Sequence, residues 1–300
     1  MNKLVSSIRP LALPLVLMAA ALSGVAACAQ DTRSIDEKLT QISARLERIE
    51  RNIGRGGGAG GGAQPQRPPE PDREKTYSMS VEGNPFTGPA DAKVTIVKGY
   101  EYACFYCDKV RSTMEEIIKK YGADVRIVDK QFVVHPQSAT APALAACAAH
   151  KQGRFAQMDK LIWEKVFSAK NFDKDKQVEG QGSQRCWESA EGCPIVVGLA
   201  QELQLNIDKF KADMKGECQQ YIQRDQAALR QLGMSATPGF FINGRWISGA
   251  QQLATFTNVI DEELKKANER IAAGTPQASY YQTWVVEKGL KSLEKQAEKQ

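Results

Sequence analysis

An α/β fold is predicted by three features of this sequence. A β-branched run, Val94-Thr95-Ile96-Val97, hands over to Cys104-Phe105-Tyr106-Cys107 and then to a helical pattern. A second run, Val125-Arg126-Ile127-Val128 continuing through Gln131-Phe132-Val133-Val134, reads as a strand parallel to the first across that helix. Far downstream, Thr237-Pro238 precedes two apolar runs split by Asn243-Gly244, the signal of a two-residue hairpin.

The first unit organises the rest. Val110, Met114, Ile117 and Ile118 recur at helical spacing up to Tyr121-Gly122, where the glycine suits a helix stop. Cys104 therefore falls at a helix N-terminus, facing unpaired backbone N–H groups and the positive end of the helix dipole. Such a site stabilises a thiolate, which thiol–disulfide exchange requires. A bare Cys-x-x-Cys also fits a zinc half-site or a passive local disulfide. Zinc needs a second ligand pair. The other cysteines of the globular part (Cys147, Cys186, Cys193, Cys218) are scattered, and the only histidines are His135 and His150. His135, before Pro136, reads as a loop or capping residue and His150 as a surface one. No metal site is expected.

From the start of the chain, residues 1–28 read as a signal peptide: a basic head to Arg9, then apolar and small residues from Leu11 to Ala27. Val25-Ala26-Ala27-Cys28 resembles a bacterial lipobox, with Cys28 acylated, and Ala27-Cys28-Ala29 also suits ordinary A-x-A cleavage. Either way the chain is exported and disulfides are permitted. Residues 31–53 carry Ile35, Leu39, Ile42, Leu46, Ile49 and Ile53 at alternating steps of four and three, a heptad seam. Leucine and isoleucine in that order favour trimers or tetramers, so a homo-oligomer is expected through this helix. An amphipathic helix lying on the protein or a membrane is the plainer alternative. Residues 54–75, rich in glycine and then proline, form a linker.

The net charge of +5 is spread along the chain with no basic patch interleaved with aromatics, so nucleic-acid binding has no support. Residues 76–300 have the composition of one globular domain with a sizeable core. Within it, about 138–232 is largely helical, with an alanine-rich helix at Ala141–Ala149 and an apolar stripe over Phe155–Val166. Trp163 and Phe167 belong to the core there rather than to a cofactor site.

This order of elements resembles the thioredoxin fold, and the helical insertion narrows the resemblance to DsbA-like thiol–disulfide oxidoreductases of the bacterial periplasm. It spans about 84–272. It rests on the lead-in Gly88-Pro89-Ala90-Asp91-Ala92-Lys93-Val94-Thr95, the motif Glu101-Tyr102-Ala103-Cys104-Phe105-Tyr106-Cys107 and the insertion helix around Ala146-Cys147-Ala148 with Gln152-Gly153-Arg154-Phe155. The last support is Ala236-Thr237-Pro238-Gly239-Phe240-Phe241-Ile242-Asn243-Gly244 as a cis-proline hairpin. Two residues depart from the family pattern: Phe105 stands where proline is usual, and Lys98 where many relatives carry an acid six residues before the first cysteine.

The resemblance implies a protein-disulfide oxidoreductase, oxidase or isomerase, that works through Cys104 and Cys107 with no cofactor beyond that redox-active disulfide. A substrate thiolate attacks an exposed Cys104 sulfur and Cys107 leaves. Pro238 packs on the disulfide, Thr237 pairs with an extended substrate segment, and Phe105 and Tyr106 offer either an apolar rim or partial core packing. With no histidine between the cysteines, Lys98 becomes the expected support of the thiolate if it points at the sulfur, with Glu101 beside it.

Four further cysteines permit three connectivities. Cys186 and Cys193, close together near Gly182, Gly192 and Pro194, suit a small loop; Cys147–Cys218 then joins two insertion helices, a bridge that the resemblance supports. Partners implied are unfolded or misfolded exported proteins and a redox partner that resets the site, with a lipid anchor at Cys28 in the periplasm. The rival reading is a non-catalytic chaperone or a copper(I)-binding module on the same scaffold.

Overall fold

The computed structural model describes residues 36–48, 70–174, 176–178 and 182–293. The signal segment with Cys28, the greater part of the linker, and Ile35, Ile49 and Ile53 of the seam lie outside them. Helix α1 (residues 36–48) carries Leu39, Ile42 and Leu46, each slightly more than half exposed.

The second unit is built on a five-stranded sheet of order β1-β3-β2-β6-β7. Strands β1 (Phe86–Thr87), β2 (Val94–Tyr100) and β3 (Val125–Gln131) come first. Strands β4 (Lys176–Val178) and β5 (Gly182–Gln184) form a separate hairpin inside the insertion, and β6 (Gly239–Ile242) and β7 (Arg245–Ser248) close the sheet. Central β2 pairs parallel with β3, Val94 opposite Val125 and Tyr100 opposite Gln131, and antiparallel with β6. Parallel strands demand a crossover, supplied by α2 (Phe105–Lys109) and α3 (Arg111–Tyr121). β2 is buried on both faces except at the half-buried Lys98, so its apolar residues Val94, Ile96 and Val97 do not follow a strict alternation. Each fully buried branched residue such as Ile96 contributes about 1.5–3 kcal/mol.

Strand β3 stops at Gln131, short of the expected Val134. The Phe132 N–H still bonds Tyr100 O at 2.8 Å, but the Val134 N–H turns to a side chain ahead of Pro136. The insertion then runs through α4 (Pro136–His150), α5 (Phe155–Leu161) with a π-helical turn over Ile162–Phe167, α6 (Pro194–Glu202), α7 (Ile207–Lys215) and α8 (Glu217–Gln231). α4 is buried nearly all round, which suits its run of small residues. Trp163 is fully buried against Tyr100 and Tyr102, with ring centroids at 6.3 and 5.1 Å. The bonds Cys147–Cys218, joining α4 to α8, and Cys186–Cys193 brace this region, with Cα separations of 5.7 and 4.8 Å.

The β6–β7 turn takes Asn243 and Gly244 at φ 43° and 85°, where a side chain on Gly244 meets the Tyr77 carbonyl at 2.5 Å. Helix α9 (Leu253–Ala272) covers one face of the sheet. The N-terminal end of the domain extends past its expected bound at residue 76, and its C-terminal part packs well beyond α9. Residues assigned to the linker already pack by Pro71: the Asp72 N–H bonds the Tyr77 hydroxyl at 2.9 Å, and Arg245 Nε bonds Arg73 O at 3.1 Å. Beyond α9, Tyr280, Tyr281 and Val285 are buried, the latter two beside Tyr77.

Candidate active site

Cys104 is the N-cap of α2, with extended backbone (φ −96°, ψ 117°) and its sulfur accepting the Cys107 N–H at 3.3 Å. Its thiol is lowered to about 6. Hydrogen bonding from the Cys107 thiol is the largest cause, burial opposes, and the Thr237 side chain and the Cys107 and Tyr106 amides assist. Burial pushes the Cys107 thiol far up, and the neighbouring Cys104 adds to it. One sulfur is thus poised to ionise and the other to hold its proton. Cys104 is less open than its sequence position implies, at 8 % exposure against 2 % for Cys107. The Thr237 segment closes over it, with Thr237 O 3.4 Å from Cys104 Sγ.

The sheet explains that closure. Gly239, the first residue of β6, pairs with Gly99 of β2, which delivers the cis Thr237–Pro238 bond to the end of the strand leading into α2. A side chain at Gly99 would collide with Met234 Sδ at 2.5 Å, so glycine lets the end of the insertion lie against the sheet. Phe105 and Tyr106 are 65 % and 58 % exposed with rings at 5.5 Å, which places them on the rim rather than in the core. An open groove of about 370 Å³, lined by Phe132–Val134, Arg230 and Gly233–Ser235, runs from the end of β3 to the approach to Thr237.

Lys98 does not take the role expected for it. Its ammonium meets Asp129 Oδ1 at 2.5 Å, directly across the β2–β3 register, and lies 4.2 Å from the Tyr100 ring centroid. Burial disfavours its charge, but the Asp129 and Asp159 carboxylates outweigh that and raise its pKa; the sulfur it acts on is Cys107. Desolvation lifts Asp129 to about 6 against the pull of Lys98. Both line a cavity of about 360 Å³ together with Arg111, Glu115, Phe155 and Asp159. Asp159 also receives the Tyr102 hydroxyl at 2.8 Å and the Tyr100 hydroxyl at 3.3 Å. Glu101 is completely buried; it accepts the Val134 and His135 N–H groups at 2.6 and 2.8 Å and contacts His135 Nδ1.

A family model described as thioredoxin matches residues 80–262. The chain belongs to the thioredoxin family. Its fold is that of the DsbA-like members. Oxidised BdbD from Bacillus subtilis aligns at 20 % identity with a TM-score of 0.51, over 66 % of this chain and all of that one. Alpha-DsbA1 from Wolbachia pipientis aligns at 19 % and 0.50, over 64 % and 96 %. Among curated proteins, a Na(+)/H(+) antiporter NhaA of Herminiimonas arsenicoxydans is 27 % identical over 175 residues, which is 58 % of this chain and 24 % of the antiporter. One of Salinispora tropica is 26 % identical over 213 residues, 69 % and 27 %. The chain spans about a quarter of the length of these curated relatives. Among the described residues no helix is long and apolar enough to cross a membrane, and no group of three or more potential metal ligands occurs.

In this thioredoxin-family frame Cys104, Cys107, Phe105, Tyr106, Thr237 and Pro238 come together at one end of the sheet. Lys98 and Glu101 flank them, and Cys147–Cys218 and Cys186–Cys193 lie in the insertion. Asp129 and His135 carry no motif that marks them as site residues in the sequence. The one available signal is that Asp129 is a carboxylate in a strand buried at all but one position, where a charge needs a partner, and Lys98 is a cation on the adjacent strand.

Proposed function

We propose that this protein is an exported thiol–disulfide oxidoreductase acting on folding or misfolded proteins through Cys104 and Cys107. The observation that carries the reading is the opposed acidity of the two sulfurs, Cys104 near 6 and Cys107 driven the other way by burial. A substrate thiolate attacks Cys104 Sγ of the Cys104–Cys107 disulfide, forming a mixed disulfide and expelling Cys107 as thiolate. Cys107, high in pKa, takes up a proton; the Lys98 ammonium supports its charge meanwhile, and Asp129, titrating near 6, holds or yields that proton beneath the site. A second substrate thiolate then attacks its own sulfur in the mixed disulfide, and Cys104 leaves as a stable thiolate. The balance is two substrate thiols converted to one disulfide, with two electrons delivered to the cysteine pair; a redox partner must remove them. Phe105, Tyr106 and the Thr237 backbone hold the substrate chain.

The same reading extends to the rest of the chain. Residues 1–28 direct export, Cys28 carries lipid that anchors the protein on the periplasmic side of the membrane, and residues 31–53 gather several copies. The exposed Leu39, Ile42 and Leu46 on α1 support that assembly. Several active sites around a shared space favour disulfide isomerisation.

The test is oxidation of a reduced, unfolded protein. Cys104→Ala abolishes turnover and Cys107→Ala accumulates a mixed disulfide on Cys104. Full activity in Cys104→Ala, or stoichiometric copper(I) binding without turnover, overturns the reading. Deleting residues 31–53 removes isomerisation of a scrambled substrate and spares simple dithiol oxidation; equal loss of both counts against the assembly.

A further inference from the structure

The motif has no histidine between its cysteines, yet the fold brings one to the site from another element. His135 stands at the N-cap position of α4, but its side chain makes no capping bond. The imidazole turns instead to Glu101, three residues before Cys104, with Nδ1 against the carboxylate. Glu101 is an unusual anchor. Its side chain is wholly buried and holds three groups of one loop: the Val134 N–H, the His135 N–H and the His135 ring. Its own backbone N–H is directed at the Cys107 sulfur. One residue therefore joins the buried sulfur to the loop that presents His135, and a buried carboxylate with that many donors is a fixed point rather than a mobile surface acid.

The His135 side chain remains 63 % exposed, so with Nδ1 on Glu101 its Nε2 edge faces solvent. Val134, its neighbour in the chain, is exposed, as are the Phe105 and Tyr106 rings at the start of α2. The charged groups acting on it are Glu101, from the loop after β2, and Cys104, from the start of α2.

We propose that His135, held in place by Glu101, is a positioning residue for disulfide exchange: its imidazolium takes the part of the histidine missing between the cysteines and sustains the Cys104 thiolate from across the rim. The charges fit that part. Glu101 raises the His135 pKa, and the Cys104 charge adds to the effect. Cys104 ionises above about 6. Thiolate and imidazolium therefore coexist from that pH up to the raised His135 value, and the support fades as the pH climbs through it. This inference rests on Cys104 being the attacked sulfur.

The experiment is the pH profile of Cys104 alkylation by iodoacetamide in the reduced full-length protein, in wild type, His135→Gln, His135→Lys and Glu101→Gln. Near-UV circular dichroism and melting identify variants that have lost the fold. His135→Gln raises the alkylation midpoint by about half a pH unit, which slows the reaction about threefold at pH 5; the size is set below the about one to three pH units of an opposite charge in close contact because the His135 ring is largely exposed. His135→Lys, a charge that does not titrate in this range, restores the low midpoint. Glu101→Gln lowers the His135 pKa, measured from its ring-proton NMR shifts, and raises the Cys104 midpoint with it. A folded His135→Gln with the wild-type midpoint, or a His135→Lys that behaves like His135→Gln, overturns the inference while leaving Cys104 as the nucleophile. A wild-type Cys104 with no acidic midpoint overturns the proposed function instead.

Discussion

Strand β3 carries two buried acid–base pairs at consecutive positions, and they are built in opposite ways. Lys130 reaches Asp225 of α8 at 2.8 Å and Asn84 Oδ1 at 2.7 Å, while Asn84 Nδ2 returns a bond of 2.9 Å to Asp225. The side chains of Lys130 and Asp225 are 4 % and 0 % exposed, and each has more than one partner. One residue earlier and on the other face, Asp129 meets Lys98 at 2.5 Å, but its Oδ1 receives no well-aligned hydrogen bond, and 14 % of Lys98 is open to the cavity. A sealed and saturated pair holds two elements together. An under-satisfied pair with an opening is free to change protonation, and Asp129 is the carboxylate lifted to about 6. Completeness of hydrogen bonding, more than burial, distinguishes the two pairs.

The largest expected effect follows from breaking the sealed pair. Asp225→Ala leaves the Lys130 ammonium buried beside Asn84 alone and lowers stability by about 3–5 kcal/mol in denaturant melts. Exchange activity per folded molecule stays unchanged. Asp129→Asn is predicted to do the reverse, with a smaller loss of stability because Lys98 keeps access to the cavity, but exchange near pH 7 slowed about a hundredfold, at the low end of general acid–base effects. Comparable damage to stability and unaltered turnover in Asp129→Asn removes the distinction between the pairs.

Asp129 also has a stability signature. Its folded pKa is raised above the unfolded 3.8, so the folded state binds more protons between that value and about 6. Its contribution favours folding at low pH and declines across that window, which titration of wild type against Asp129→Asn, each by urea melts, resolves. Cys104 carries the opposite signature, its folded pKa being depressed to about 6 from 9.0. Ionisation stabilises the reduced protein above the unfolded value, and that gain is lost as the pH falls through about 6. Melting temperatures of reduced wild type and reduced Cys104→Ser therefore converge in acid and separate above neutrality.

Much of this architecture is legible in the residues because its signals are local. Cys104-Phe105-Tyr106-Cys107 between a β-branched run and a helical stripe, and Asn243-Gly244 between apolar runs, need only neighbours in sequence to be read. The Lys98–Asp129 pairing needs the β2–β3 register, which no short window contains, so the sequence alone leaves Lys98 free to face Cys104. Val134 reads as strand in the sequence for a related reason: its N–H is claimed by Glu101, whose carboxylate is buried only in the folded chain. His135 reads as a loop residue and is one, but its place beside Glu101 depends on the same contact.

The two sulfurs of Cys104-Phe105-Tyr106-Cys107 differ in acidity by burial and helix position. Mass-resolved alkylation of the reduced protein across pH 4–10 measures that difference directly. Cys104 is expected to be modified with a midpoint near 6 while Cys107 remains protected throughout that range. Equal modification of both cysteines with a common midpoint near 9, the ordinary thiol value, contradicts it.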